Sequence, residues 1–397
     1  MVLTEEEFLR LGIDNTTDIE LERLHKSDGL IEAYRNIIDI LRKYCDLKEE
    51  YYSLISVWII GTYYHKEFIT YPYLFINAMK GSGKTRLLKI IAELSYKGEI
   101  LTSMTEAVLF RTEGTLCIDE FEGITRHGNE NLRELLNSSY KQGSKVKRMR
   151  KARTPEGEQQ VVEEFNVYRP IAMANIWGME TVLGDRCLAL ILERSNVVSI
   201  TKLVETFPYE KITTLTKELL SKGECSLCNV VTPREVYTGW NDFIDTNYIT
   251  TFTNNNTKLH TLFTKIDKAD INGRDLELSL PLFLIAEELG EGVLDDLILT
   301  IQKIVNEKKT EEFTENKDIS LIDFVSQELN EDLFVSVNSL VPKFKDFLQV
   351  NDDWINSKWV GRALKRLNLI KKKKRVTRGV EVVLDVEKAQ EKIRMFR

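Results

Sequence analysis

The amino-acid sequence predicts an α/β protein: a core with a parallel sheet, a helical lid, and a small α+β unit after them. Three observations carry this. An apolar run, Tyr73-Leu-Phe-Ile-Asn77, leads into a glycine-rich loop and then a helical stretch. Two more strand-like runs, at Leu116–Asp119 and Pro170–Asn175, alternate with helical spacing, which implies crossover helices between parallel strands. Beyond residue 319, three helical patterns are followed by two strand patterns.

Taken in order, residues 1–50 form a helical lead-in, with Ile31, Tyr34, Ile37, Ile38 and Leu41 on one amphipathic face. Residues 51–200 hold the sheet. An apolar helix over Ser53–Tyr64 ends before Pro72, the strand and loop follow, and Arg86–Leu94 has helical spacing. Residues 201–305 are mostly helical and make the lid. The dense charges of Asn306-Glu-Lys-Lys-Thr-Glu-Glu mark 306–318 as a linker or a solvated helix end. In 319–397, helices are expected over Leu321–Leu329, Val337–Leu348 and Ser357–Leu367, then two strands joined at Thr377-Arg378-Gly379.

At 397 residues the chain exceeds what one core supports, so two or three domains are expected. Hydrophobic residues at 43%, charged residues at 29% and only 7 Pro exclude a disordered or fibrous chain. The formal charge of -7 argues against indiscriminate coating of nucleic acid, although local basic clusters can still bind it. The amino terminus has no basic-then-apolar leader pattern, the longest apolar run is shorter than a membrane span, and five scattered cysteines fit reduced thiols. A cytoplasmic protein is expected.

The loop reads Ala78-Met-Lys-Gly81-Ser82-Gly83-Lys84-Thr85. It fits Gly-x-x-x-x-Gly-Lys-[Ser/Thr] except that alanine replaces the first glycine. In that pattern backbone N–H groups and a helix amino terminus cradle phosphate, the lysine reaches the terminal phosphates, and the hydroxyl holds Mg²⁺. ATP and Mg²⁺ are the expected ligands, with Thr85 and Asp119 on the metal. Asp119 and Glu120 end an apolar strand, which suits Mg²⁺ binding for the first and activation of water for the second. Asn175 ends another strand, where its amide can orient the water. Arg186 stands just before an apolar run, where an arginine finger would sit, whereas Arg194 reads as an ordinary surface arginine.

These elements in this order resemble the AAA+ ATPases, in particular the helicase-like branch of MCM proteins, superfamily 3 helicases and replication ATPases of archaeal, plasmid and phage elements. The resemblance spans about residues 55–290. It implies that Lys84 and Thr85 belong to Walker A, Asp119 and Glu120 to Walker B, Asn175 to sensor 1 and Arg186 to a finger acting on a neighbour. It also implies that Arg274, in Asn272-Gly-Arg274-Asp, opens a sensor 2 helix aimed at the γ-phosphate. A ring, usually a hexamer, follows from the same likeness, as does company with other replication proteins.

Lys145, Lys147, Arg148, Arg150, Lys151 and Arg153, followed by Thr154-Pro-Glu-Gly157 and a strand-like Glu158–Val167, suggest a basic hairpin. In the helicase-like branch such a hairpin projects into the pore and grips DNA; a solvated basic loop is the alternative. The last unit resembles a winged helix. Lys358 and Arg362 lie in its third helix, and Lys371, Lys372, Lys373 and Lys374 in its wing, facing DNA or a docked protein. Cys225 and Cys228 have half-zinc spacing without a second pair and read as non-metal. The expected function is a ring-forming replicative helicase driven by ATP. The alternatives are a loader or initiator that does not unwind and an ATP-gated winged-helix regulator.

Overall fold

The computed structural model describes residues 18–102, 105–121, 130–154, 157–176, 178–203, 210–222, 240, 257–327, 333–350, 352–376 and 379–394. It divides into two compact units, residues 1–304 and 305–397.

In the first unit, helices α1 (Asp18–Tyr44) and α2 (Glu49–Tyr64) precede the sheet. Leu30, Ala33, Ile37, Ile40, Leu41 and Tyr44 recur at three-and-four spacing and are buried, so α1 packs by a stripe. Helix α2 is apolar nearly all round and is buried from Tyr51 to Thr62. There Trp58 Nε1 donates to the Pro72 carbonyl (2.9 Å) and the Tyr71 hydroxyl to the Trp58 carbonyl (2.5 Å), satisfying polar groups that are costly to bury unpaired.

The remaining elements of this unit are β1 (Tyr73–Ala78), α3 (Lys84–Leu94), β2 (Glu99–Leu101), α4 (Glu106–Arg111), β3 (Leu116–Ile118), α5 (Glu130–Ser138), β4 (Lys145–Thr154), β5 (Gly157–Asn166), β6 (Ile171–Asn175), α6 (Thr181–Gly184), β7 (Cys187–Leu192), α7 (Val198–Thr201), α8 (Glu210–Lys222), α9 (Thr257–Lys268), α10 (Gly273–Leu289) and α11 (Glu291–Glu315). Five strands form a sheet in the order β2-β3-β6-β1-β7. Every neighbouring pair is parallel, so all five carboxyl ends lie along one edge. Central strands β1, β3 and β6 are buried almost throughout, as expected of a parallel sheet covered on both faces. β4 and β5 stand apart as an antiparallel hairpin. Helix α10 packs on α2 at Gly61, where a methyl group would run into the Tyr71 hydroxyl and Ile285.

The charged stretch at 306–311 belongs to α11 and is a solvated helix end, not a linker. In the second unit, α12 (Lys317–Ser326), β8 (Val335–Ser336), α13 (Val337–Leu348), α14 (Ser357–Arg366), β9 (Ile370–Val376), β10 (Gly379–Leu384) and α15 (Val386–Ile393) enclose their own core around Phe324, Phe344, Val360, Leu364 and Leu384. Its antiparallel sheet runs β8-β10-β9. β2, β8, α4 and α15 were not anticipated; strands of two or three residues are too short to carry a period. Among the described residues no helix is long and apolar enough to cross a membrane. Cys225 and Cys228 lie outside the described residues, and among those no cluster of three or more His, Cys, Asp or Glu suits a metal. Cys45, Cys117 and Cys187 are free and buried. Burial raises the Cys45 thiol to about 12 and the Cys117 thiol further, which makes both inert.

Candidate nucleotide site

At the carboxyl edge of the sheet, β1 ends at Ala78 and the chain turns through residues 79–83 into α3. Two residues of that turn require left-handed backbone: Gly81 at φ 81° and Gly83 at φ 85°. Side-chain bulk is not the reason for glycine at 83, because a methyl there would meet nothing within 4 Å; the dihedral is. The Ser82 amide and hydroxyl both donate to the Met79 carbonyl (3.3 and 2.8 Å), tightening the turn. Ala78 fits because this bend is made by residues 79–83, and position 78 is still strand, paired with Leu192.

Two strands away, β3 delivers Asp119, which is buried and holds two hydrogen bonds. Thr85 Oγ1 donates to Asp119 Oδ2 at 2.7 Å, and the Glu120 amide donates to Oδ1 at 3.0 Å. A hydroxyl and a carboxylate in contact beside a phosphate-sized turn are a hard oxygen donor set, which fits Mg²⁺. Glu120 is exposed at φ 56°, a conformation that costs a non-glycine residue about 1 kcal/mol and is retained where geometry matters. Lys84 is half-buried in the first turn of α3. Arg86, two positions on, donates to the carbonyls of Tyr44 (3.3 Å), Ile200 (3.1 Å) and Leu203 (3.0 Å), strapping both segments to the start of α3.

Asn175 ends β6 opposite Asn77 of β1 and is buried. Its amide donates to the Gly178 carbonyl (2.6 Å) and its Oδ1 accepts from the Gly178 amide (3.0 Å). One N–H remains for a ligand.

Arg186 and Arg274 are elsewhere. The Tyr73 amide donates to the Arg186 carbonyl (3.0 Å), so Arg186 stands at the amino edge, about 17 Å along β1 from Ala78. Its Nε donates to the Asn137 carbonyl (2.8 Å), it also bonds the Val182 carbonyl, and its guanidinium lies 5.3 Å from the Tyr140 ring centroid. Arg274 packs against the same ring at 5.7 Å and pairs with Asp185 at 2.7 Å. An Arg274 aimed at the γ-phosphate of its own chain is therefore corrected: α10 starts at the amino edge, where Lys141 and Thr70 bond Glu277 at its first turn.

Arg194 is a site residue that the sequence reading undervalued. β7 runs beside β1, so its carboxyl end meets the loop, and Arg194 Nε donates to the Lys80 carbonyl at 2.9 Å. A cavity of about 290 Å³ adjoins it, lined by Asp46, Leu47, Lys48, Tyr51, Ile191–Arg194 and Asn196. The pairing of β7 with β1 would have pointed to it.

The hairpin carries less free positive charge than its first strand implies. Antiparallel register sets Lys147 opposite Glu164, Arg148 opposite Glu163 and Arg153 opposite Glu158. Lys145 and Lys147 both pair with Glu164 at 3.1 Å, and their hydrogen bonds hold that carboxyl below its usual range. Arg148 turns to Glu106 and the Phe110 ring of α4, which stacks on Phe165. Arg150, Lys151 and Arg153 occupy register positions further out on β4, opposite Val161, Gln160 and Glu158.

In the second unit Lys358 and Arg362 are exposed one turn apart on α14. Arg366 is spent on a bidentate bond to Asp318 (2.6 and 2.9 Å). Lys371 to Lys374 lie on β9, a sheet edge, where lysines also deter strand addition. Lys371 is within 3.8 Å of Asp385 and Lys374 pairs with Glu381 at 2.9 Å; Lys372 and Lys373 are exposed and pair with no described carboxylate.

No protein-family model and no curated protein matches the chain. Among solved structures, one titled "SCCmec type IV Cch - active helicase" is similar at a TM-score of 0.37 and 14% identity, covering 97% of this chain and 70% of that one. At that score the likeness fixes neither fold nor activity.

Proposed function

We propose that this chain is an ATPase that hydrolyses ATP at the 78–85 loop and works as a DNA motor, a ring-forming replicative helicase similar to the AAA+ helicase-like branch. The observation that supports it most is the hydrogen bond from Thr85 to Asp119, which joins a left-handed glycine turn to a buried carboxylate from another strand. Neither a chance loop nor a chance acid pair requires that meeting.

The reaction is in-line attack of water on the γ-phosphorus, giving ADP and phosphate. Backbone amides of the loop and the amino end of α3 hold the phosphates, and Lys84 offsets their charge. Glu120 takes the proton of the attacking water, and the spare Asn175 N–H orients it. Mg²⁺, when bound by Thr85 and Asp119, supplies charge to the β and γ oxygens. Arg186, joined by Arg274, serves a neighbouring chain's nucleotide, which accounts for their common placement far from their own loop. The hairpin and the winged-helix-like second unit contact DNA phosphates. The exposed ion pairs on the hairpin are each worth about 0–1 kcal/mol, so a phosphate can replace a glutamate there.

The test is ATP-driven displacement of one strand from a forked duplex. Glu120→Gln should bind ATP and lose both hydrolysis and displacement by about a hundredfold or more. Hydrolysis stimulated by DNA without displacement would favour the loader; unchanged hydrolysis in Glu120→Gln would sink the site assignment.

A further inference from the structure

We infer that the cavity between residues 46–51 and 191–196 receives the nucleoside part of the nucleotide, and that Arg194 is the cation of the same chain that joins this cavity to the phosphate loop. This rests on the 78–85 loop binding ATP. Three contacts locate the cavity beside that loop. Leu192, in its wall, pairs with Ala78; Arg194 donates to Lys80 at 2.9 Å; and Arg86, in the first turn of α3, holds the Tyr44 carbonyl two residues before Asp46.

The lining suits a nucleoside. Leu47, Tyr51, Ile191 and Leu192 offer apolar surface for a base, while Asp46 and Glu193 supply acceptors for sugar hydroxyls or base amino groups. The two walls are tied together, since Ser195 Oγ donates to Asp46 Oδ2 at 2.7 Å. About 290 Å³ is the low end of small-molecule sites, sized for a nucleoside and not for a larger cofactor. Arg194 uses only Nε on Lys80, so its Nη groups bond no described residue and can take a phosphate oxygen. A single cation thus braces the turn at Gly81, 3.8 Å from the methyl that an alanine there would add, and faces the ligand. Arg274 sits too far away for that task.

The experiment measures binding of ATP, ADP and inorganic tripolyphosphate by calorimetry on the full chain. Ile191 is 46% exposed, so Ile191→Trp fills the cavity from a tolerant position; Asn196→Trp fills it from a second exposed one. Both should weaken ATP and ADP about tenfold and leave tripolyphosphate unchanged. Arg194→Ala should weaken all three about five- to tenfold, with partial recovery in Arg194→Lys. Wild-type ATP affinity in both tryptophan variants, or in Arg194→Ala, overturns the inference. Lys84→Ala separates the two levels: if it binds ATP as wild type, the phosphate loop itself is misassigned; if it loses ATP while the other variants keep it, only the cavity and Arg194 fall.

Discussion

The two edges of the five-stranded sheet are built from different materials. At the carboxyl edge are glycines, a hydroxyl, carboxylates and an amide in and around an open turn: Gly81, Gly83, Thr85, Asp119, Glu120 and Asn175. At the amino edge, aromatic and cationic side chains pack closely. Tyr73 and Tyr168 are buried, Arg186 and Arg274 share the Tyr140 ring, and Arg169 is buried among the carbonyls of Asn166, Val167 and Thr112. A strand of six residues separates the edges, farther than an arginine reaches. One edge can serve the chain's own nucleotide; the other can serve only another chain's.

The largest effect that tests this division is kinetic. Arg186→Ala should lower ATP turnover about a thousandfold or more while its own loop binds ATP as before. Mixing it with Lys84→Ala chains should restore part of the turnover, since each supplies what the other lacks. A rise in Kd for ATP in Arg186→Ala, with no recovery on mixing, would erase the distinction between the edges.

Acid should weaken the amino edge next. His65 lies between Tyr96 and Tyr168 with Nδ1 2.7 Å from the Thr62 carbonyl. Burial above all, with Lys66 and Arg169 acting the same way, lowers it to about 4 against the opposing hydrogen bond. Because the folded state favours the neutral ring, its stability is complete above the unfolded value of about 6.5 and declines as pH falls towards 4. The full loss is about 3 kcal/mol. Denaturant unfolding of wild type and His65→Phe at pH 7.5 and 4.5 checks it: the wild type should lose more than the variant, and equal losses would show that His65 is not the sensitive group.

Arg274→Ala sharpens the comparison more gently. Its ion pair with Asp185 is more than a third exposed and adds at most about 1 kcal/mol to stability, so the variant should fold. Turnover should fall about tenfold with unchanged ATP binding; a weakened Kd instead would return Arg274 to its own chain's nucleotide. The smallest effect belongs to the loop. Gly83→Ala meets open space, so only its dihedral resists, and the expected loss is about 1 kcal/mol in the denaturation midpoint.

The carboxyl edge was readable in advance because its chemistry is local. Residues 81–85 form one turn, and Asp119 and Glu120 terminate one strand, so type and spacing already encode the backbone. Asn175 was found in the same way, although its bonds to Gly178 were not. The hairpin was legible as two strands around Pro155, but not as a charge distribution. The glutamates that oppose Lys147, Arg148 and Arg153 lie in the other strand, and pairing them needs the register.

Arg194, Arg274 and the cavity had no local sign. Each depends on which strands are neighbours: β7 beside β1 brings Arg194 to Lys80, and the docking of α10 on α2 at Gly61 takes Arg274 to the amino edge. Order along the chain thus carries the alternation of strands and helices, the phosphate loop, the acid pair and the separate core of the second unit. Packing carries which arginine faces which nucleotide, because strand order and helix docking arise from contacts between residues far apart in sequence, and no short-range period records them.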